Sequence, residues 1–269
     1  MTDTLRITVL GSGSSGGVPR IGPAGPNWGA CDPANPKNRR RRCALLVQRI
    51  GPEGQTNVLI DAGPDLRAQL IDVGVGVLDA VIFTHDHADH VHGIDDLRMV
   101  VFNRRSRLPA WMNEETAQKV RARFDYVFET SPGSSYPPIL DPHRIDGPVT
   151  ITGAGGAVTA EPFLVPHGDI EALGFRVGPV VYTPDIKDMS PAAWEMLKGA
   201  DCWLLDSLRH TPHVSHVNVE EALTWIARAA PPRAFLTNLH IDLDYAELDA
   251  MTPSNVHPAH DGLVLEYTY

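Results

Sequence analysis

The sequence predicts an α/β fold, on three observations. Short apolar runs rich in Val, Ile and Leu recur at strand length, and segments with apolar residues at helical spacing lie between and after them. The chain of 269 residues, 43% hydrophobic, is also long enough to bury a substantial core. With no internal repeat and no interdomain linker in the text, a single domain over 1–269 is expected.

Along the chain, the strand-length runs are "RITVL" (6–10), "CALLVQ" (43–48), "NVLI" (57–60) and "AVIF" (80–83), then "VVYT" (180–183), "CWLLD" (202–206), "AFLT" (234–237) and "LVLEY" (263–267). Most are followed by a turn or a polar cluster. Helical spacing is expected over 65–73, 94–101, 114–124, 191–197, 219–229 and 245–251. Two of these segments have clear starts: Ser190 precedes Pro191, and Asn218 stands three residues before Glu221 in a capping-box pattern. Strands thus come first in hairpin-like groups and later alternate with helices. The Pro/Gly-rich segments 18–36 and 131–147 read as long loops, of a kind that more often carries function or an interface than nothing.

The balance of 23 basic against 33 acidic residues, a net charge of -10, argues against a general polyanion-binding surface. Basic residues concentrate once, in "NRRRR" (38–42), which reads as a solvated loop or a contact for phosphate or a partner chain. Cys31, Cys43 and Cys202 are too few and too scattered for a disulfide framework, which fits a reducing compartment. The N-terminal text goes straight into strand-like alternation without a basic and then apolar leader, and no apolar run is long enough to span a bilayer. A soluble, cytoplasmic protein is expected.

The chemistry concentrates in "THDHADHVHG" (84–93), directly after the apolar run "LDAVIF". Imidazole and carboxylate are the donors that divalent transition metals take when cysteine is absent. This stretch supplies four candidates, His85, His87, Asp89 and His90, in a loop leading from a strand into a helix, where their side chains can converge from little backbone.

"THDHADH" resembles the H-x-H-x-D-H signature of the metallo-β-lactamase-fold hydrolases, and "LIDAGPD" resembles the Asp-bearing strand end that precedes it. Later ligand positions of that family follow in order: His167 in "VPHGD", Asp185 in "VVYTPD" and His240 in "LTNLH". The resemblance implies a four-layer αββα sandwich and two divalent metal ions, zinc or manganese. It puts His85, His87 and His167 on one ion and Asp89, His90 and His240 on the other, with Asp185 bridging them beside a bridging hydroxide that acts as nucleophile. Asp61 would orient a histidine ligand and raise its basicity. His92, Asp169 and Asp188 lie outside the ligand positions, and His143, His257 and His260 read as surface residues.

The family hosts many chemistries, so the fold alone does not decide the reaction. His87 stands where the di-iron redox branch has Glu, which points to hydrolysis. Three further histidines, His210, His213 and His216, follow in "DSLRHTPHVSHVNVEEAL", the last just before a helix start. This resembles the phosphodiesterase branch, where a general acid protonates the leaving alkoxide. His216 is the first candidate for that acid or a phosphate contact, His210 the second and His213 the third, and Asp89 is counted with the catalytic residues as well as the ligands.

"LGSGSSGGVPRIG", "GACDP", "PKNRRRR" and "AGPDLRAQL" together resemble the phosphoribosyl cyclic phosphate phosphodiesterase (PhnP-type) subgroup, and more distantly the coenzyme PQQ synthesis protein B. That subgroup holds an extra structural zinc with closely spaced cysteines and a histidine. Here only Cys31 is in the region and Leu243 takes the histidine's place, so the loop must be held otherwise. The long arm with which tRNA-processing relatives grip tRNA is not evident, and with the acidic charge this argues against a large nucleic acid.

The expected protein is a binuclear metal-dependent phosphodiesterase acting on a small cyclic phosphate or nucleotide-like diester, without a membrane partner, and homodimeric by family resemblance. The alternatives are a lactone, ester or thioester hydrolase of the same fold, and an accessory protein of a cofactor pathway.

Overall fold

The computed structural model describes residues 3–268. In chain order its strands are β1 (Thr4–Gly11), β2 (Arg20–Gly22), β3 (Gly25–Asn27), β4 (Ala44–Gly51), β5 (Gly54–Ile60), β6 (Ala80–Ile82), β7 (Leu108–Met112) and β8 (Leu140–Arg144). They continue as β9 (Val149–Gly153), β10 (Gly156–His167), β11 (Ile170–Val177), β12 (Val180–Thr183), β13 (Cys202–Asp206), β14 (Arg233–Thr237), β15 (Val256–Pro258) and β16 (Val264–Thr268). The helices are α1 (Leu66–Asp72), α2 (Ala88–Val91), α3 (Leu97–Arg104), α4 (Glu114–Arg123), α5 (Asp125–Phe128), α6 (Pro191–Met196), α7 (Val219–Ala229) and α8 (Tyr245–Met251).

Two compact units result, one from 3–10, 44–159 and 264–268, the other from 11–43 and 160–263. Each draws on more than one stretch of chain, so no single cut in the sequence separates them.

The first unit is built on a sheet of order β16-β1-β4-β5-β6-β7-β8. β4 and β5 form an antiparallel hairpin, and β5, β6, β7 and β8 then run parallel. Leu46, Leu59, Val81, Leu108, Ala110 and Met112 present one face of this sheet to Leu66, Leu70, Val91, Leu97, Val100 and Val120 of the helices. The alternate positions Leu45, Val47, Val58, Ile60, Ala80 and Ile82 are buried as well. Burial on both faces is why these strands read as continuous apolar runs rather than as alternation.

The second seven-stranded sheet has the order β15-β14-β13-β12-β11-β10-β9. β10, β11 and β12 pair antiparallel, whereas β12 to β15 run parallel. Val181, Trp203, Leu205, Ala234 and Leu236 pack on Ala193, Leu197, Val219, Ala222, Ile226 and Leu248. Asn218 and Glu221 close the expected capping box at the start of α7. Each sheet thus carries its own helices, and the chain supplies both αβ halves of the αββα class.

Several strands lie outside the expected runs. β8 falls within 131–147, which the text assigns to a loop; it is an edge strand, where Pro142 is tolerated because one side needs no ladder donor. β2 and β3 form a small hairpin within the other expected loop. β10 and β11 were obscured by Pro162, Pro166 and Gly174.

The arginine run departs from the solvated reading. Arg40 is only 1% exposed, while Arg39 alone of the four is exposed, over the ring of Trp28. Arg40 donates from Nη1 to the His240 carbonyl at 3.3 Å and from Nη2 to Asn38 Oδ1 at 3.2 Å, and lies 3.8 Å from Cys31 Sγ. Asn38 in turn donates to Asp244 Oδ2, which also accepts from the Asp32 amide at 3.0 Å. With Val18, Cys31 and Ile241 packed beside Trp28, this network ties the loop 27–42 to the chain around His240.

Candidate metal centre

Parallel strands deliver their C-terminal ends to one side, and that is where open α/β sheets place their sites. In the first unit the register pairs Ile60 with Ile82, so Asp61 and the run from Thr84 leave the sheet side by side. Asp61 is fully buried and takes a left-handed backbone, φ 67°, an unusual state that Asp tolerates better than most residues.

The carboxylate of Asp61 accepts from the Thr84 amide and the Thr84 hydroxyl, both at 2.8 Å, and its Oδ2 faces His90 Nδ1 at 2.7 Å. Thr84 Oγ1 also lies 2.9 Å from His85 Nδ1. The hydroxyl has one proton and gives it to Asp61, so His85 Nδ1 is the donor to Thr84. Both imidazoles therefore hold their proton on Nδ1 and keep the Nε2 lone pair for a cation. Burial pushes the Asp61 carboxyl up, against the opposing pull of His90 and Thr84.

Around these, the His85 ring lies 4.6 Å from that of His87 and 4.3 Å from that of His90, and Asp89 Oδ2 is 3.5 Å from His90 Nε2. His87 is exposed and Asp89 half-buried. Asp86 sits among the candidates in sequence, yet turns to α4, where Arg123 reaches it at 2.6 Å and Lys119 at 3.2 Å. Gly93 closes the turn: its amide donates to the Ala62 carbonyl at 2.8 Å, and a side chain there would run into the Gly63 carbonyl.

In the second unit the alternation of β10 buries Phe163, Val165 and then His167. His167 donates from Nδ1 to the Ser215 carbonyl at 2.8 Å, and its Nε2 stands 3.3 Å from Asp185 Oδ2. Asp185 is buried just beyond β12 and accepts from the Asn238 side chain, Nδ2 to Oδ1, at 3.3 Å. Asn238, at φ 60°, is another left-handed non-glycine residue at a strand end.

His216 is the best-oriented of the three later histidines. Its Nδ1 lies 2.7 Å from Oδ2 of the buried Asp206, at the end of β13, and its Nε2 is 3.9 Å from Asp185 Oδ2. Its ring meets that of His167 edge-on at 4.7 Å. Burial pushes Asp206 up to about 6, although His216 pulls it down. His213 lies beside His216, ring centres 5.1 Å apart, whereas His210 is exposed with its Nδ1 3.4 Å from Glu220 on α7. His240 is half-buried with Nδ1 2.8 Å from Asp242, and its amide donates to the Leu208 carbonyl.

The residues set outside the ligand positions make other contacts. His92 is exposed against Phe124, His143 stacks on Trp111, and His257 pairs with Asp249. Asp169 is exposed in the β10–β11 turn, Asp188 binds the following amide, and His260 faces the Asp261 carbonyl. Asp206, Asn238 and Asp86 were not singled out from sequence. For Asp206 a signal existed: "CWLLD" ends a buried strand in Asp, as "NVLID" does at Asp61.

The donor set fits a divalent transition metal. Imidazoles whose Nδ1 is fixed by an acceptor, with carboxylates close to their Nε2 atoms, are what such ions require. Among the described residues no helix is long and apolar enough to cross a membrane.

A family model described as a beta-lactamase superfamily domain matches residues 56–241. A crystal structure described as a new diphosphatase from the PhnP family is 34% identical with a TM-score of 0.84, covering 99% of this chain and 98% of that one. An octanoyltransferase of Porphyromonas gingivalis is 32% identical over 263 residues, which make up 96% of this chain and 51% of that protein. A ribonuclease Z of a Bradyrhizobium species is 38% identical over 73 residues, 26% of this chain and 23% of that protein. The chain thus spans about half the length, or less, of these curated relatives. It belongs to the beta-lactamase superfamily, with the metallo-β-lactamase fold, and resembles the PhnP family.

Proposed function

We propose that the protein is a phosphodiesterase for a small substrate, a cyclic phosphate or nucleotide-like diester. The observation that carries this is His216, an imidazole oriented by a buried carboxylate with its other nitrogen turned toward Asp185. His85, His87, Asp89, His90, His167, Asp185 and His240 are proposed as ligands of two divalent ions, zinc or manganese. Such ions supply Lewis acidity and lower the pKa of water toward neutrality.

In this reading His216 carries a proton on Nε2 and delivers it to the leaving alkoxide, while Asp206 fixes the ring and stabilises its charged form. Asp61 orients His90 in the same manner. The diphosphatase and ribonuclease Z names of the relatives, both for enzymes that cleave P–O bonds, support the reading. The net charge of -10 favours a small substrate over a large nucleic acid, and three cysteines, too few and too scattered for a disulfide framework, suit the cytoplasm. A homodimer without a membrane partner belongs to the same proposal.

The test compares leaving groups in the metal-loaded protein. His216→Ala is expected to slow a diester with an alkoxide leaving group by about 10²–10⁴-fold and a p-nitrophenyl diester far less, because p-nitrophenolate departs without a proton. Equal losses on both, or turnover of lactones and thioesters alone, would overturn the proposal.

A further inference from the structure

Asp86 stands directly between two proposed ligands, His85 and His87, and the proposed chemistry gives it no part. A carboxylate oxygen is a good donor for zinc or manganese, so an acid at this place competes for the ion unless something else holds it. Its side chain is only 6% exposed.

What holds it is one face of α4. Lys119 and Arg123 are four residues apart, so their side chains lie one above the other on the helix. Arg123, the last residue of α4, donates from Nη2 to Asp86 Oδ2 at 2.6 Å and from Nη1 to the Asp86 carbonyl at 2.5 Å. Lys119 donates from Nζ to Asp86 Oδ1 at 3.2 Å. Both carboxylate oxygens and the backbone carbonyl are thus taken by a single helix, and the planar fork of a guanidinium is what grips carbonyl and carboxylate together. The helix is itself anchored: Val120 is buried in the core of its unit, and Asn113 caps the first turn by accepting from the Thr116 amide at 2.8 Å.

An extended chain sends residues i and i+2 to one side and residue i+1 to the other. The rings of His85 and His87 accordingly meet at 4.6 Å, while Asp86 turns away to α4. His87 has extended backbone, φ -64° and ψ 149°, and starts α2 as its N-cap, so the fixed carbonyl of Asp86 sets the direction from which the chain enters that turn. The side chains of Arg123 and Lys119 are half-exposed, so they reach a buried acid from the solvent side.

We infer that Lys119 and Arg123 are positioning residues of the metal centre: by holding Asp86 on α4 they keep its carboxylate off the ion and turn His85 and His87 to it. The inference rests on the reading of His85 and His87 as ligands and goes beyond it in naming what aims them. It is independent of the substrate.

The test compares wild type, Arg123→Gln and the double variant Arg123→Gln/Asp86→Asn, each loaded with zinc or with cobalt(II) and titrated with a chelator. The visible absorption of cobalt(II) reports the geometry and the donors around the ion. Arg123→Gln is expected to weaken zinc binding about tenfold or more and to change the cobalt spectrum, because the carboxylate is left free to compete. Adding Asp86→Asn removes the competing charge, and should restore the wild-type spectrum and most of the affinity. Lys119→Gln leaves both Arg123 contacts in place and should weaken binding by about two- to fivefold; it decides the matter if Arg123→Gln does not fold. Affinity and spectrum unchanged in these variants, or a defect that Asp86→Asn leaves undiminished, would overturn the inference. So would a lower unfolding temperature with an unaltered cobalt spectrum, the mark of a merely structural contact. Failure of the ligand reading looks different: His85→Ala and His87→Ala would then hold zinc as wild type does, and the positioning role would fall with it.

Discussion

Asp206 holds His216 through a 2.7 Å contact between Oδ2 and Nδ1, the same distance at which Asp61 holds His90. Asp206 is the last residue of β13 and Asp61 directly follows β5, and each fixes an imidazole by its Nδ1 so that Nε2 is presented for work. One local device is used once for a candidate ligand and once for a candidate acid.

Asp206→Asn keeps an acceptor for His216 but loses the charge that stabilises the imidazolium. A fall in kcat of about 10–100-fold on an alkoxide-leaving diester is expected, with bound metal unchanged by elemental analysis. A parallel loss of metal would make Asp206 a support of the ligands instead.

Asp61→Ala strips the acceptor from the Thr84 amide, the Thr84 hydroxyl and His90 at once. Metal affinity, measured by competition with a chelator, is expected to drop about 10–100-fold. An unchanged affinity would show that His90 needs no orienting partner.

Arg40→Ala removes a fully buried side chain and three of its polar contacts. A loss of about 2–4 kcal/mol in urea unfolding is expected, and Arg40→Lys should recover little because an ammonium cannot span the same partners. A change below about 0.5 kcal/mol would return the arginine run to the solvated class.

Asp261 is half-buried, accepts from the Ser12 amide and hydroxyl and from the Arg41 amide, and is nevertheless pushed up to about 6 by desolvation. Between its ordinary value of 3.8 and about 6 the folded protein keeps a proton that the unfolded chain has lost. This group's contribution to stability therefore falls as pH rises through that window, by at most about 3 kcal/mol, and is level above it. Thermal unfolding of wild type and Asp261→Asn across pH 4–7 isolates this slope; parallel curves would contradict it.

Much of this was legible in the sequence because it depends on local pattern. The apolar runs that became β4, β5, β6, β12, β13 and β14 are buried on both faces, and the residues just after them include Asp61, His85, Asp185 and His240. β7, β8 and β10 were not legible, since prolines interrupt their text and only their place in a sheet makes them strands. Arg40 was misread for a related reason: four consecutive arginines look solvated, and nothing local reveals that Asn38, Cys31 and the His240 carbonyl will surround one of them. Among His210, His213 and His216, spacing could not choose; Asp206, ten residues from His216, is what distinguishes it.

Metal-dependent hydrolysis of a P–O bond is decided by the initial rate of the purified protein on small cyclic and linear phosphodiesters, beside a lactone and a thioester. It would be run after loading with zinc or manganese and again after chelation. Diester turnover that chelation abolishes and either metal restores is expected, with the carboxylic substrates slower. Turnover confined to the lactone or thioester, or diester turnover that survives complete removal of metal, would contradict it.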